Sequence, residues 1–207
     1  MPTLHKRPDL SVIVPVYNLE KFIAPLLSSL KKQDTGAYII EYVFVLNNCT
    51  DNSEAVIRNS GIDCTILNCE EQGCGPSRNA GLEHSTGKYV WFMDGDDWLL
   101  SDTAIKTALD KAQGKDIIRI PFKSNAFNRD WFSMVWQYVL RRELIGDTRF
   151  PSIQPCEDDA FMEEILAKEG YNRVTYLLIP ETEPLYFYNY LREGSNMYRV
   201  IVKREKI

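Results

Sequence analysis

Three carboxylates crowd into four positions of the stretch KYVWFMDGDDWLL (88–100): Asp94, Asp96 and Asp97. Like charges this close repel unless a cation or hydrogen-bond donors sit among them. If the apolar strand before them runs on, Asp94 and Asp96 project to one side, about 6.6 Å apart along it. Such a pair among small residues suits a hard divalent cation. Mg²⁺ or Mn²⁺ takes one or two protein carboxylates and completes its shell with water and phosphate oxygens. Asp beside Gly is equally a turn or capping residue, and spacing alone leaves both open.

The elements that must position these carboxylates are written in the preceding residues. LSVIVPVY (10–17) is apolar on both faces, as a parallel strand buried under helices must be. Leu19, Phe22, Ile23, Leu26, Leu27 and Leu30 follow at the spacing of a helix with one buried face, and Pro25 predicts a kink or a later start. IIEYVFVL (39–46), IDCTILN (62–68), KYVWFM (88–93) and DIIRIPF (116–122) read as further strands. Between them the pattern predicts helices over 53–59 and 76–84, then one capped by Ser101 and closed by Gly114. This alternation predicts βαβ units and a mostly parallel sheet flanked by helices, an α/β fold. Past about Phe122 the alternation fails. A basic, aromatic segment is followed by a helix over 159–169, ended by Gly170, and by strands in VTYLLI and LYFYNY, a mixed α+β half.

In open parallel sheets, ligands bind beyond the carboxyl ends of the strands. Those ends carry Tyr17 and Asn18, NNCTDN (47–52), NCEEQGCGPSRN (68–79) and DGDDW (94–98), so polar and small residues gather on one edge. No G-x-G-x-x-G follows the first strand, which disfavours a dinucleotide site. A net charge of −5 argues against polyanion binding by the whole protein, although residues 115–150 carry seven Lys or Arg against four acids. No apolar run approaches the roughly 20 residues of a membrane span, and MPTLHKRPDL lacks the apolar core of a secretory signal. A cytoplasmic location is expected, with peripheral contact at the inner face of a membrane left open. Five cysteines, an odd number without Cys-x-x-Cys, predict reduced thiols rather than disulfides.

SVIVPVYN, TDNS, GPSRNAGLEHSTGKYVWFMDGDDWL, CEDDAFMEEIL and YFYNYLREGSN stand in the order and spacing of family 2 glycosyltransferases of the GT-A fold. The chain resembles that family over nearly its whole length. The resemblance implies one GT-A domain over 1–207, with a nucleotide-sugar-binding half at about 8–122 and an acceptor-side half at about 123–207. It implies an inverting, metal-dependent transferase that moves a sugar from a nucleotide diphosphate, UDP first among them, to a hydroxyl of a saccharide or lipid-linked acceptor. Asp94 and Asp96 match the DxD motif, Asp94 near the ribose and Asp96 on the Mn²⁺ or Mg²⁺ that bridges the diphosphate. Asp158 matches the catalytic base and Tyr17 the aromatic residue against the nucleobase. Arg78 and Asn79 match the RN element around the donor. Asn18, Asp97, Trp136, Arg192 and Ser195 complete the candidate set.

The sequence departs from the family at Leu46-Asn47-Asn48-Cys49, where Asp-Asp-Gly-Ser is usual. Asn47 takes the place of an aspartate that accepts from uracil; it keeps an acceptor oxygen and adds a donor. Without the family context, Asp158 ahead of a helix is also a good N-cap, and Tyr17 is also a core candidate. Two alternatives stay open: a non-catalytic relative that binds nucleotide or a partner, and an enzyme acting on a modified nucleic-acid base.

Overall fold

The computed structural model describes residues 6–125, 134–152, 157–167, 176–179, 183–190 and 192–193. Ser195, Cys156, Trp131 and Phe132 lie outside the described residues. The chain runs β1 (Leu10–Val16), α1 (Ala24–Lys31), β2 (Ile40–Asn47), α2 (Ser53–Asn59), β3 (Thr65–Cys69), α3 (Cys74–His84), β4 (Tyr89–Phe92) and β5 (Trp98–Leu99). It continues through α4 (Ala104–Ala112), β6 (Ile117–Arg119), β7 (Phe122–Ser124), β8 (Tyr138–Arg141), α5 (Arg142–Ile145), α6 (Glu157–Ala167), β9 (Tyr176–Leu178) and β10 (Tyr186–Tyr188).

A seven-stranded sheet in the order β3-β2-β1-β4-β8-β6-β9 forms the centre. β3, β2, β1 and β4 are mutually parallel; β8 enters antiparallel between β4 and β6. β1 is central, and all seven of its residues are buried, as its two-faced apolar sequence requires. Each large apolar side chain buried along it contributes roughly 1.5–3 kcal/mol. Two apolar clusters cover the sheet's faces: Val12, Val14, Phe44 and Trp91 on one side, Ile13, Val45, Phe92 and Phe161 on the other. Helix α3 rides close over β1 because position 81 is glycine. A Cβ there would lie 2.3 Å from Ile13 Cγ2.

A second sheet, in the order β5-β10-β7, meets the residues after β4 through the Tyr186 hydroxyl, which accepts the Asp94 N–H. The single strand expected over 116–122 is two strands in different sheets, divided at Pro121, which has no N–H for a ladder. The first helix begins at Ala24 with Pro25 in its first turn, where the fixed φ and missing N–H are tolerated. Ser101 does not cap α4. Its hydroxyl instead accepts from the Thr103 N–H at 3.2 Å, and Thr103 is the cap residue. Cys49, Cys64, Cys69 and Cys74 are free thiols. Among the described residues, no helix is long and apolar enough to cross a membrane.

Candidate active site

β4 stops at Phe92, and the acidic residues after it form a turn in which the Asp97 N–H donates to the Asp94 carbonyl at 3.2 Å. The strand does not run on through Asp94 and Asp96; of the two readings left open by the spacing, the turn is the one found. Gly95 is required by crowding: a Cβ there would meet Leu19 Cδ1 at 2.5 Å and the Pro15 carbonyl at 3.4 Å. The turn sends its carboxylates in different directions. Asp94 accepts from Arg78 and Asp96 from the Arg192 guanidinium.

Asp97 is withdrawn from the rim altogether, contrary to its place among the candidate ligands. It is fully buried; Tyr186 Oη donates to its Oδ2 at 2.6 Å and the Asn189 N–H to its Oδ1 at 2.7 Å. The same Tyr186 hydroxyl accepts the Asp94 N–H at 3.1 Å. Burial, then the charges of Asp96 and Asp94, push the Asp97 carboxyl well above its usual range against these two donors. The third aspartate is thus a brace that fixes β10 against the acidic turn.

Arg78 is the centre of the site. It projects from the second turn of α3 with its side chain 4% exposed, above the Phe150 ring. Nη1 donates to Asp158 Oδ1 at 2.7 Å and Glu157 Oε1 at 3.2 Å, while Nη2 donates to Asp94 Oδ1 at 3.0 Å. Burial opposes its charge, but Asp158 and Asp94 outweigh that and hold the guanidinium firmly protonated. Arg78, expected as a donor-binding residue of an element that shapes the loop around the donor, has almost no free surface and directs Nη1 and Nη2 at three carboxylates.

Asp158 lies within the first turn of α6, which begins two residues earlier than expected, so it is a helical residue rather than the cap. Its Oδ2 accepts the Val135 N–H at 3.1 Å. Burial raises its pKa to about 6, offset by Arg78 and aided by Asp94 and Glu157. A carboxylate with that pKa is ionised near neutrality and still basic enough to accept a proton. It is also near the positive end of a helix.

Other candidates fall into two groups. Tyr17 stands at the end of β1, 57% exposed, and is free to stack on a planar ligand. Asn18, Asn47 and Asn79 instead hold loops. Asn18 pairs with Thr50, accepting from its N–H at 2.8 Å. Asn79 pairs with both main-chain groups of Phe150. Asn47, 4% exposed, donates to the Cys69 and Glu71 carbonyls at 3.1 and 2.7 Å and accepts from the Gly73 N–H at 2.9 Å. Its amide is committed to the β3–α3 loop. Trp136 is 1% exposed and stacked on Tyr186, a wall of the core rather than a face of the rim. Sequence reading did not anticipate Glu157 as an Arg78 partner or Tyr186 and Asn189 as the Asp97 clamp; no local signal marks them.

The chemistry of the donor set bears on a metal. Asp94, Glu157 and Asp158 converge on one guanidinium, so two negative charges lack a cationic partner among the described residues. Asp96, near enough to Asp94 to feel its charge, is the residue that would hold a divalent cation beside this excess. No group of three or more His, Cys, Asp or Glu among the described residues is arranged to hold one by itself.

The family model described as Glycosyl transferase family 2 matches residues 11–164. The chain belongs to glycosyl transferase family 2. Among its relatives is the poly(ribitol-phosphate) β-N-acetylglucosaminyltransferase TarS of Staphylococcus aureus, 28% identical over 222 residues, which cover 94% of this chain. The chain spans 38% of the length of that relative. Glycosyltransferase GlyA of Streptococcus pneumoniae is 40% identical over 96 residues, 45% of this chain and 14% of GlyA. Residues 1–349 of TarS in complex with UDP superpose with a TM-score of 0.76 at 25% identity, covering 87% of this chain and 60% of that one. The mannosyltransferase PcManGT of Pyrobaculum calidifontis, in complex with GDP-Man and Mn²⁺, gives 0.75 at 20% identity, covering 95% and 61%, a likeness of fold. The mostly parallel sheet flanked by helices is the GT-A fold of these glycosyltransferase neighbours.

Proposed function

We propose that this member of family 2 is an inverting glycosyltransferase that uses a nucleotide-diphosphate sugar, UDP first among the carriers, and a hydroxyl of a saccharide or lipid-linked acceptor. The observation that carries this reading is the pair formed by Asp158 and Asp94 on the shared Arg78 guanidinium. Asp158, a carboxylate raised to about 6, and the acidic turn that begins at Asp94 are held on one guanidinium, which supports a base beside a donor site. UDP as carrier is drawn from TarS, solved with UDP and with UDP-GlcNAc.

In the proposed reaction, Asp158 takes the proton of the acceptor hydroxyl as its oxygen attacks the anomeric carbon. The bond from that carbon to the diphosphate oxygen breaks, its electrons leave with the nucleoside diphosphate, and configuration inverts. Tyr17 stacks on the nucleobase. Asp94 would meet the ribose, and Asp96 would hold Mn²⁺ or Mg²⁺. Bound there, the cation supplies charge neutralisation for the leaving group. Arg192 pairs with Asp96 and would turn to the diphosphate.

Calorimetric titration of UDP, GDP, CDP and TDP, each with and without Mn²⁺, tests the donor class. Binding of one nucleotide that needs metal supports the proposal. Binding of none, or of all alike without metal, contradicts it.

A further inference from the structure

We propose that Arg78 is a positioning residue for the transfer step: its guanidinium, forked between Asp94 on the donor-side turn and Asp158 on α6, fixes the base in register with the bound donor. The inference rests on the roles given above to Asp94 and Asp158. It adds a component that neither the motif nor the fold assigns.

Geometry carries it. Asp94 follows β4, Asp158 opens α6, and the two are 64 residues apart in sequence. Among the described residues, the side chain that touches both carboxylates is that of Arg78, on a third element, α3. A planar fork holds two acceptors at fixed separation and angle, which a single ammonium cannot do. Misplacing a catalytic group by about 1 Å costs rate on the order of 100-fold.

The cluster is also poor as a device for stability alone. Four charged groups are largely removed from water with negative charge in excess, and Arg78 Nε is buried with no hydrogen-bond partner among the described residues. Buried ionic groups of this kind are often replaceable by apolar ones without loss of stability. The groups that face Asp158 are Arg78 from α3, Asp94 from the acidic turn, its neighbour Glu157, and the Val135 N–H. Cys74 on α3 lies near enough to Arg78 to interact with its charge. Of these side chains Arg78 alone is a cation, so it opposes the upward shift that burial gives Asp158.

The test uses Arg78→Met, which removes the charge and the fork, and Arg78→Lys, which keeps the charge and loses the fork. Three quantities are read: UDP affinity with Mn²⁺, turnover of UDP-GlcNAc with water as acceptor against pH, and the ¹³C titration of the Asp158 carboxyl, assigned with Asp158→Asn. In Arg78→Met the Asp158 titration and the acid limb of turnover should move up by about one unit or more. Turnover at saturating donor should fall about 100-fold while UDP affinity changes less than about threefold. Arg78→Lys should restore the titration but not the turnover.

A loss of UDP affinity in step with turnover would make Arg78 a donor ligand and overturn the inference. So would an Asp158 titration unmoved in Arg78→Met, or full turnover in Arg78→Lys. If Arg78→Met does not fold, the split between affinity and turnover in Arg78→Lys decides. A wild-type protein that neither binds UDP nor turns over UDP-GlcNAc, with the titration shift intact, would instead refute the proposed donor and leave Arg78 holding Asp158 for another purpose.

Discussion

Asn47→Asp restores the residue usual in the family and should damage this protein. The Asn47 amide donates to two main-chain carbonyls, at 3.1 and 2.7 Å, and accepts one N–H at 2.9 Å, all with 4% of the residue exposed. A carboxylate keeps the bond from Gly73 and turns its second oxygen toward the carbonyls of Cys69 and Glu71. Two hydrogen bonds are lost and two buried acceptors face a negative charge, a cost of about 3 kcal/mol. For a chain of this size that corresponds to roughly 6–12 °C in Tm.

The sign with pH is fixed by the same contacts. Burial opposite two carbonyls raises the pKa of the new carboxyl above its unfolded value. The variant is therefore least impaired below the unfolded pKa, where the protonated acid can donate to one carbonyl, and its deficit grows as pH rises through the folded pKa. Urea denaturation of wild type and variant from pH 4 to pH 8, with UDP titration at each end, reads this directly. Equal stability at pH 8, or tighter UDP binding by the variant, would show that position 47 faces a base rather than bracing the loop.

Four further outcomes follow from the site. Asp158→Asn should keep nucleotide binding and lower transfer about 1,000-fold. In the wild type, transfer should fall as pH drops through about 6, because burial has raised the pKa of the base to that value; a limb set by an unshifted carboxylate would contradict this. Tyr17→Ala, at an exposed strand end, should leave unfolding within about 0.5 kcal/mol of wild type and weaken nucleotide affinity about tenfold; unfolding and binding curves separate the two effects. Tyr186→Phe removes the donor to Asp97 and orphans the Asp94 N–H, which should destabilise by about 2–4 kcal/mol in urea unfolding.

Local pattern was enough for the parallel half of the fold. β1 is apolar on both faces, α2 was expected over 53–59 and found there, and the acidic residues do lie on the carboxyl edge of the sheet. What failed was set by distant partners. DIIRIPF has strand propensity throughout, but Pro121 divides it, and its two pieces pair with β8 and with β10, residues far along the chain. Asp94, Asp96 and Asp97 look alike in sequence. They differ because Arg78, Arg192 and Tyr186 arrive from three other elements. Asn47 carried a signal, the loss of a charge, but its use depends on carbonyls across the β3–α3 loop. Asp158 was proposed from a motif, and its shifted pKa comes from burial that no local window encodes.

The central claim is that the acidic turn receives a nucleoside diphosphate with a divalent cation. Calorimetric titration of UDP in the presence and absence of Mn²⁺, on wild type, Asp96→Ala and Asp158→Asn, tests it most directly. Binding should require Mn²⁺, survive in Asp158→Asn and vanish in Asp96→Ala. Binding that ignores the cation, or that persists in Asp96→Ala, would contradict the account.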